Sequence, residues 1–389
     1  MTDQPDDINE LRQDVDRIDE AIIELLAERR AVSVDMAKAK QRAGRPFHDQ
    51  EREQTLSAER RRAAQELDLD GSLVARLWRE IIDDSLRLQH EYLQHELNEG
   101  AESLIAAFQG VEGAYSHLAA QEFFESKPVA VSWLECTQFK DVVAAVEEGR
   151  ADIGVLPTEN TTSGAISEVY DLLMHSRLAL VGETKFRVRH CLLGLEAIDP
   201  SAIRTVFAHP QAVLQCSEFL TELDDVQIVY FGDTAESGRW IRDLADPATA
   251  AIASEEAARL FDLTILRRDI ANYEVNHTRF LFTARNPITV DQQIPTKTSL
   301  VMSVGNQPGA LLDALVCFRD EGINLVKLES RPIPRNPGEE LFYVDLDGNQ
   351  TDPGVGRALE ALAAAARFVK VLGSYPSRDL RPHGELPAS

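Results

Sequence analysis

Four cations, Arg29, Arg30, Lys38 and Lys40, crowd the stretch AERRAVSVDMAKAK (27–40). The rest of the chain is acidic: 389 residues carry 65 Asp and Glu against 40 Lys and Arg, a formal charge of −25. Ile8, Leu11, Val15, Ile18, Ile22, Leu25, Val32, Met36 and Ala39 repeat at 3–4 spacing, which predicts a long helix packed against other helices. Arg29 breaks that seam, seven residues after Ile22 and seven before Met36. A guanidinium turned inward is costly unless it meets an anion, so this position asks for an anionic ligand. Lys40 lies eleven residues on and shares the face, at a rise of about 16 Å. Arg12 lies 17 residues before Arg29, about 25 Å of helix, and reaches the same small site only from an antiparallel second chain. Asp49, Arg52 and Glu53 share a further helical face, and the seam Trp78, Ile81, Ser85, Leu88, Tyr92 is interrupted by Ser85, with Gln89 one turn later. Each residue alone reads equally as a snorkelling cation or a hydroxyl bonded back to its helix. As a set they place Arg, Lys, Ser and Gln inside a bundle.

Three later stretches are also chemically dense. GVEGAYSHLAAQEFF (110–124) sets Tyr115 and Ser116 at a strand-to-helix turn whose backbone N–H groups suit a carboxylate. GVLPTENTTSGAISEVYD (154–171) ends a strand with Glu159, Asn160 and hydroxyls, including Ser163 before Gly164. NHTRFLF (276–282) puts Thr278, Arg279 and Phe280 on a late strand. Near the end, Pro308-Gly309-Ala310-Leu311 opens a helix where backbone donors can take a carboxylate, and Glu329-Ser330-Arg331-Pro332 closes a strand.

The elements that position these residues fall into three blocks. Residues 1–97 read as helix, residues 103–285 alternate apolar runs with helical stretches as α/β layers do, and residues 298–377 form a smaller βαββαβ unit. A polar stretch with two prolines, NPITVDQQIPTKT (286–298), links the last two. The negative charge disfavours nucleic acid. No apolar run reaches the length of a membrane helix, and the start, MTDQPDD, has no apolar signal core, so a cytoplasmic protein is expected. Cys136, Cys191, Cys216 and Cys317 have no CxxC spacing and the histidines form no HxxxH pair, so no metal is expected. Neither a P-loop nor GxGxxG occurs, so no nucleotide cofactor is expected either.

Residues 1–97 resemble the all-helical chorismate mutases, intertwined dimers of three-helix chains, through Arg12, Arg29, Lys40, Asp49, Arg52, Glu53, Ser85 and Gln89. The resemblance implies that these residues bind chorismate, a dicarboxylate, and that Arg29, Lys40 and Gln89 act in its rearrangement to prephenate. Arg12 would come from the partner chain, Lys40 and Gln89 would address the ether oxygen, and Glu53 and Ser85 the hydroxyl side. Residues 103–285 resemble the prephenate dehydratases, two α/β lobes around a cleft somewhat like periplasmic binding proteins. The GxxGxYS, LPxEN and TRF patterns carry this resemblance. It implies substrate contacts from Tyr115, Ser116, Glu159, Asn160, Ser163, Gly164, Gln215, Arg279 and Phe280, with Thr278 as hydrogen-bond donor to the departing hydroxyl and Glu159, His209 or water as other proton sources. Two residues depart from that family: Ala208 stands where many relatives carry Ser, and Thr158 where an aliphatic residue is usual. Residues 298–377 resemble an ACT regulatory domain, implying an L-phenylalanine site built from Gly309, Ala310 and Leu311 with Glu329, Ser330, Arg331 and Pro332. The whole chain thus resembles the bifunctional chorismate mutase/prephenate dehydratases of phenylalanine biosynthesis, an isomerase and lyase in one, expected as a homodimer with pairing into tetramers left open. A solute-binding or regulatory protein built from such domains, or a fusion to a dehydrogenase, are the alternatives; the second would need the missing dinucleotide fingerprint.

Overall fold

The computed structural model describes residues 8–43, 50–97, 102–223, 225–292, 294–332 and 340–377; within these, the side chains of residues 41, 50–54, 57, 58 and 93–97 are left undescribed. The chain divides into two compact units, Met1–Glu99 and Gly100–Ser389.

The first unit holds helices α1 (Ile8–Ala43), α2 (Gln50–Glu66) and α3 (Gly71–Leu97). Neither α1 nor α2 contains Gly or Pro, and Ala, Leu, Glu and Arg supply strong helix propensity. Helix α3 packs against both others. Only the later part of α1 is covered: Ser33 and Ala37 are buried, whereas Ile18 is 48% and Ile22 50% exposed. The apolar seam is therefore real, yet the side chains of its first half are about half exposed or more.

The second unit contains three sheets. The first runs β2 (Ala130–Cys136), β1 (Ser103–Gln109), β3 (Ile153–Asn160), β11 (His277–Ala284), β5 (Ala179–Arg187), with the two-residue β4 (Gly164–Ala165) beside β3. Helix α4 (Tyr115–Phe124) covers one face; α5 (Phe139–Glu147) and α6 (Ser167–His175) lie on the other. The second sheet runs β10 (Thr264–Arg267), β6 (Cys191–Gly194), β9 (Thr249–Ala253), β7 (Thr205–Ala208), β8 (Gln227–Tyr230), flanked by α7 (Pro210–Gln215), α8 (Ser217–Leu220), α9 (Thr234–Leu244) and α10 (Glu255–Leu260). The chain crosses between these lobes twice, through residues 188–190 and 268–276. Their apolar runs form separate cores, as expected of two lobes.

The third sheet runs β13 (Leu325–Pro332), β14 (Glu340–Asp347), β12 (Thr296–Ser303), β15 (Phe368–Pro376), with α11 (Ala310–Asp320) and α12 (Pro353–Ala365) on one face. Alternation along the strands sends Leu300, Met302, Phe342 and Val344 toward those helices. It sends Val301, Leu341, Tyr343 and Tyr375 into the core of the first lobe. Strand β15 crosses β5 so closely that a Cβ at Gly373 would lie 2.4 Å from the Leu180 carbonyl oxygen. Lys370 caps the end of α6, donating to the carbonyls of Leu173, Met174 and Ser176 at 2.9, 2.8 and 2.6 Å. The small module and the first lobe share one core.

Candidate functional site

In the helical unit, two of the four crowded cations have ordinary carboxylate partners: Arg30 with Asp84 at 2.7 Å and Lys38 with Asp35 at 3.2 Å. Arg29 and Lys40 instead meet α3. Arg29 donates to the Ile81 carbonyl at 3.0 Å and to the Ser85 hydroxyl. Lys40 donates to Gln89 Oε1 at 3.1 Å. Ser85 and Gln89 are one turn apart, which lets α3 offer one oxygen to each cation. Burial lowers the Arg29 pKa, opposed by the charge of Asp84. Ser33, buried and 2.9 Å from Ser85 Oγ, joins this cluster. It was not singled out from sequence, although it lies one turn after Arg29 on the same face. The structure thus brings Arg29, Lys40, Ser85 and Gln89 together. Arg12 lies on the exposed first half of α1, away from them. Asp49 lies outside the described residues, as do the side chains of Arg52 and Glu53.

The two α/β lobes enclose a cleft of about 300 Å³. From the first lobe, Tyr115, Ser116, Asn160, Ser163, Thr278 and Phe280 line it; from the second, His209, Gln215, Asp233 and Thr234. The first turns of α4 and α9 therefore both meet this space, where N-terminal backbone donors favour anions. Among the described residues lining the cleft there is no Lys or Arg. Anion binding there rests on hydroxyls, amides and backbone N–H groups.

Asn160 organises the cleft. Its Oδ1 accepts from the backbone N–H of Thr162 at 2.9 Å and of Ser163 at 3.1 Å. Its Nδ2 donates to Thr278 Oγ1 at 2.9 Å. Gln215, from the other lobe, donates to Thr162 Oγ1 at 2.7 Å and to Asn160 Oδ1 at 3.2 Å. Tyr115 spends its hydroxyl on the Arg189 carbonyl at 2.6 Å, beside His190 Nδ1 at 3.1 Å. Burial depresses His190 to about 4, so its ring is neutral, and lowers His209 as well. Burial also pushes the Asp233 carboxyl up to about 6, against the backbone N–H groups it caps on α9.

Three sequence expectations, for Arg279, Glu159 and Gly164, are corrected here. Arg279 and Glu159 do not line the cleft; both side chains face the third sheet. Thr278 and Phe280 take the cleft side of β11, so Arg279 between them takes the other. On β3 the register slips: Glu159 pairs with Arg279 but Pro157 with Phe280. Thr158 is the extra residue of that bulge, and its hydroxyl donates to the Arg279 carbonyl at 3.3 Å. The bulge shifts the alternation, so Asn160 rather than Glu159 joins Pro157 on the cleft wall. This gives Thr158 a structural reason. Gly164 also lies off the cleft wall, at φ +77° in β4. Ala208 is fully buried at the end of β7, and nothing in the structure explains its replacing a serine.

The displaced pair forms a buried ionic network. Arg279 meets Asp345 at 2.6 Å, Glu183 at 2.7 Å and Glu159 at 3.5 Å. Lys297 meets Glu183 at 2.8 Å, and Lys327 pairs with Glu159. Three cations thus face three carboxylates, the balance a buried cluster needs. Burial alone would lower the Arg279 pKa, but Tyr375, Asp345 and Glu183 raise it. Burial would raise Glu159, yet Lys327 and Arg279 hold it below the usual range.

In the small module Gly309 caps α11 at φ +85°, with open space where a Cβ would stand, so backbone conformation rather than room selects glycine. Ala310 is buried and Leu311 half-buried. Glu329, Ser330, Arg331 and Pro332 lie on the edge strand β13, where Arg331 pairs with Asp171 of α6 at 2.7 Å. Among the described residues, no hydrogen bond or ion pair joins the two signatures within one chain. Also among them, no group of His, Cys, Asp and Glu could hold a metal, and no helix is long and apolar enough to cross a membrane.

A polar cluster within a helical bundle, an interlobe cleft and a βαββαβ module docked on one lobe define a multidomain enzyme with a regulatory domain. Family models match in the same order: chorismate mutase type II at residues 11–90, prephenate dehydratase at 106–288 and ACT domain at 298–364. The bifunctional chorismate mutase/prephenate dehydratase of Enterobacter agglomerans is 40% identical over 373 residues, 96% of each chain. Prephenate dehydratase from Arthrobacter aurescens, solved with L-Phe, superposes with TM-score 0.65 at 27% identity, covering 73% of this chain and 93% of its own. A solved chain described as GqqA, a quorum-quenching acylase, gives TM-score 0.62 at 35% identity, covering 70% of this chain and 98% of its own. The chain belongs to the bifunctional chorismate mutase/prephenate dehydratase family.

Proposed function

We propose that each polar cluster runs one of the two reactions of this family, with residues in the following roles. The chain rearranges chorismate to prephenate and converts prephenate to phenylpyruvate, and L-phenylalanine inhibits it. In the helical unit Arg29 holds a carboxylate, Lys40 and Gln89 stabilise charge growing on the ether oxygen, and Ser85 orients Arg29. The rearrangement is pericyclic and needs neither base nor nucleophile, so positioning and electrostatics carry it. Arg12, Asp49, Arg52 and Glu53 are assigned here by the family pattern. The exposed apolar half of α1 supports a second chain lying along it, which would bring that chain's Arg12 to the site. Homodimers are the proposed assembly.

In the cleft, prephenate loses its ring carboxyl as carbon dioxide. The released electron pair enters the ring, and hydroxide departs from the opposite carbon. Thr278 polarises that leaving group. Its oxygen accepts from Asn160, so its own hydrogen is turned to a ligand; this one observation carries the assignment. Ser116, Ser163 and the first turns of α4 and α9 hold the carboxylates. The effector lies between small modules of two chains, Gly309–Leu311 from one and Glu329–Pro332 from the other. Free thiols at all four cysteines fit a cytoplasmic setting.

Purified protein given chorismate alone tests the whole reading. Phenylpyruvate should form without cofactor and fall when L-phenylalanine is added; prephenate accumulating alone would remove the cleft assignment.

A further inference from the structure

The amide of Asn160 cannot be turned around. Two backbone N–H groups, which only donate, face its Oδ1, and the His277 carbonyl, which only accepts, lies 3.2 Å from its Nδ2. That fixes its neighbours in turn. Asn160 Nδ2 donates to Asn276 Oδ1 at 2.7 Å, so Asn276 Nδ2 faces Gln215 Oε1, at 3.0 Å. Gln215 Oε1 is also 2.8 Å from His190 Nε2. A carbonyl-type oxygen only accepts, so His190 carries its proton on Nε2. The direction of each bond that links His190, Gln215, Asn276, Asn160 and Thr278 follows.

Asn276 is 1% and His190 2% exposed, and each lies on one of the two crossings between the lobes. We propose that Asn276, with the Nε2-protonated His190 behind it, is a positioning residue for dehydration: it holds Asn160 so that the Thr278 hydroxyl points its hydrogen at the substrate. Asn276 acts through Asn160 and does not line the cleft. The inference rests on the role given to Thr278 above.

Asn276→Asp tests the direction of the chain. As a neutral carboxylic acid the new side chain accepts from Asn160 and donates to Gln215, as Asn276 does. Ionised, it still accepts from Asn160 but no longer donates, so two oxygens oppose each other at Gln215 and push the side chain that holds Asn160 out of line. The titratable groups around this position and in the adjoining cleft include His190, His209, His277, Tyr115, Cys216 and Asp233, the last titrating at about 6, all present in the parent protein. Dividing variant kcat by parent kcat at each pH removes their contribution.

The full chain is assayed for prephenate dehydration from pH 5.5 to 8.5, with Thr278→Ala and Asn276→Ala alongside. The expected result for Asn276→Asp is a kcat ratio that falls on the order of 100-fold at high pH and recovers on acidification, with KM little changed. Asn276→Ala should show a loss that does not vary with pH. His190→Gln, whose amide nitrogen can replace Nε2, should retain more kcat than His190→Leu. If Thr278→Ala is inactive while the Asn276→Asp ratio is flat or near one, the positioning chain is wrong and the Thr278 role survives. If Thr278→Ala is near normal, the Thr278 reading falls and this inference with it.

Discussion

The hydroxyl of Thr278 accepts from Asn160 at 2.9 Å on the cleft side of β11, while the guanidinium of Arg279, the next residue, lies 2.6 Å from Asp345 on the other. One pair of neighbours thus faces chemistry and interdomain packing at once. Thr278→Ala should cut dehydratase kcat by 100-fold or about that, leaving chorismate rearrangement and thermal unfolding unchanged. Arg279→Ala should instead destabilise the second unit by about 3–5 kcal/mol, because it leaves Asp345 buried without its cation and Glu183 with Lys297 alone. Denaturant titration separates the two; a stable Arg279→Ala protein with only a raised KM would return Arg279 to the cleft.

The Lys327–Glu159 pair joins β13, which carries the Glu329–Pro332 signature, to the residue beside Asn160. If L-phenylalanine binds at that signature as proposed, a shift of β13 would reach a residue one peptide away from the cleft. Lys327→Met should change the half-inhibiting L-phenylalanine concentration at least about fivefold, the lower end of typical couplings. Dehydratase rates measured against effector concentration decide this, and an unaltered curve would place the coupling elsewhere.

Subunit mixing tests the shared mutase site. Arg12→Ala and Arg29→Ala chains should each be inactive alone. Co-refolded, half of the randomly paired dimers carry one intact site of two, restoring about a quarter of parental activity. No recovery would mean that Arg12 serves its own chain or none. Because Gln89 is a neutral amide, mutase kcat should also stay level from pH 6 to 8.

Asp233 offers a pH signature. Its carboxyl titrates at about 6 in the folded protein against 3.8 normally. The folded state therefore keeps the proton longer, and the stabilisation this gives is complete below pH ~4 and lost as pH rises through 6. Asp233→Asn keeps an N-cap side chain and should flatten that part of the stability curve. Above pH 6 it also removes an anion from the cleft proposed to bind the prephenate dianion. KM for prephenate should then drop about fivefold, with little change at pH 5.

Much of this was legible in one dimension. Helical periodicity marked α1, and the break in it at Arg29 named a residue whose partners proved to be Ser85 and the Ile81 carbonyl. The alternation of apolar runs with helical stretches pointed to α/β layers in residues 103–285 and to a βαββαβ unit in residues 298–377, and the family resemblance divided the first into two lobes. Those signals are local, set by side-chain spacing along one element.

What the sequence did not carry was which way a side chain points once strands pair. A single extra residue, Thr158, shifts the alternation of β3, exchanging Glu159 for Asn160 at the cleft wall. Arg279 read as a substrate cation because its partners Glu183, Asp345 and Tyr375 are 66 to 96 positions distant in sequence, and only packing of the third sheet on the first brings Asp345 and Tyr375 within reach. Asn276 stayed unnoticed for the same reason, as its meaning lies in Gln215 and His190, which reach it across the two lobe crossings. Residue types and their spacing carried the resemblance that names the reactions; the register of two strands and the docking of one sheet on another decided which side chains line the cleft.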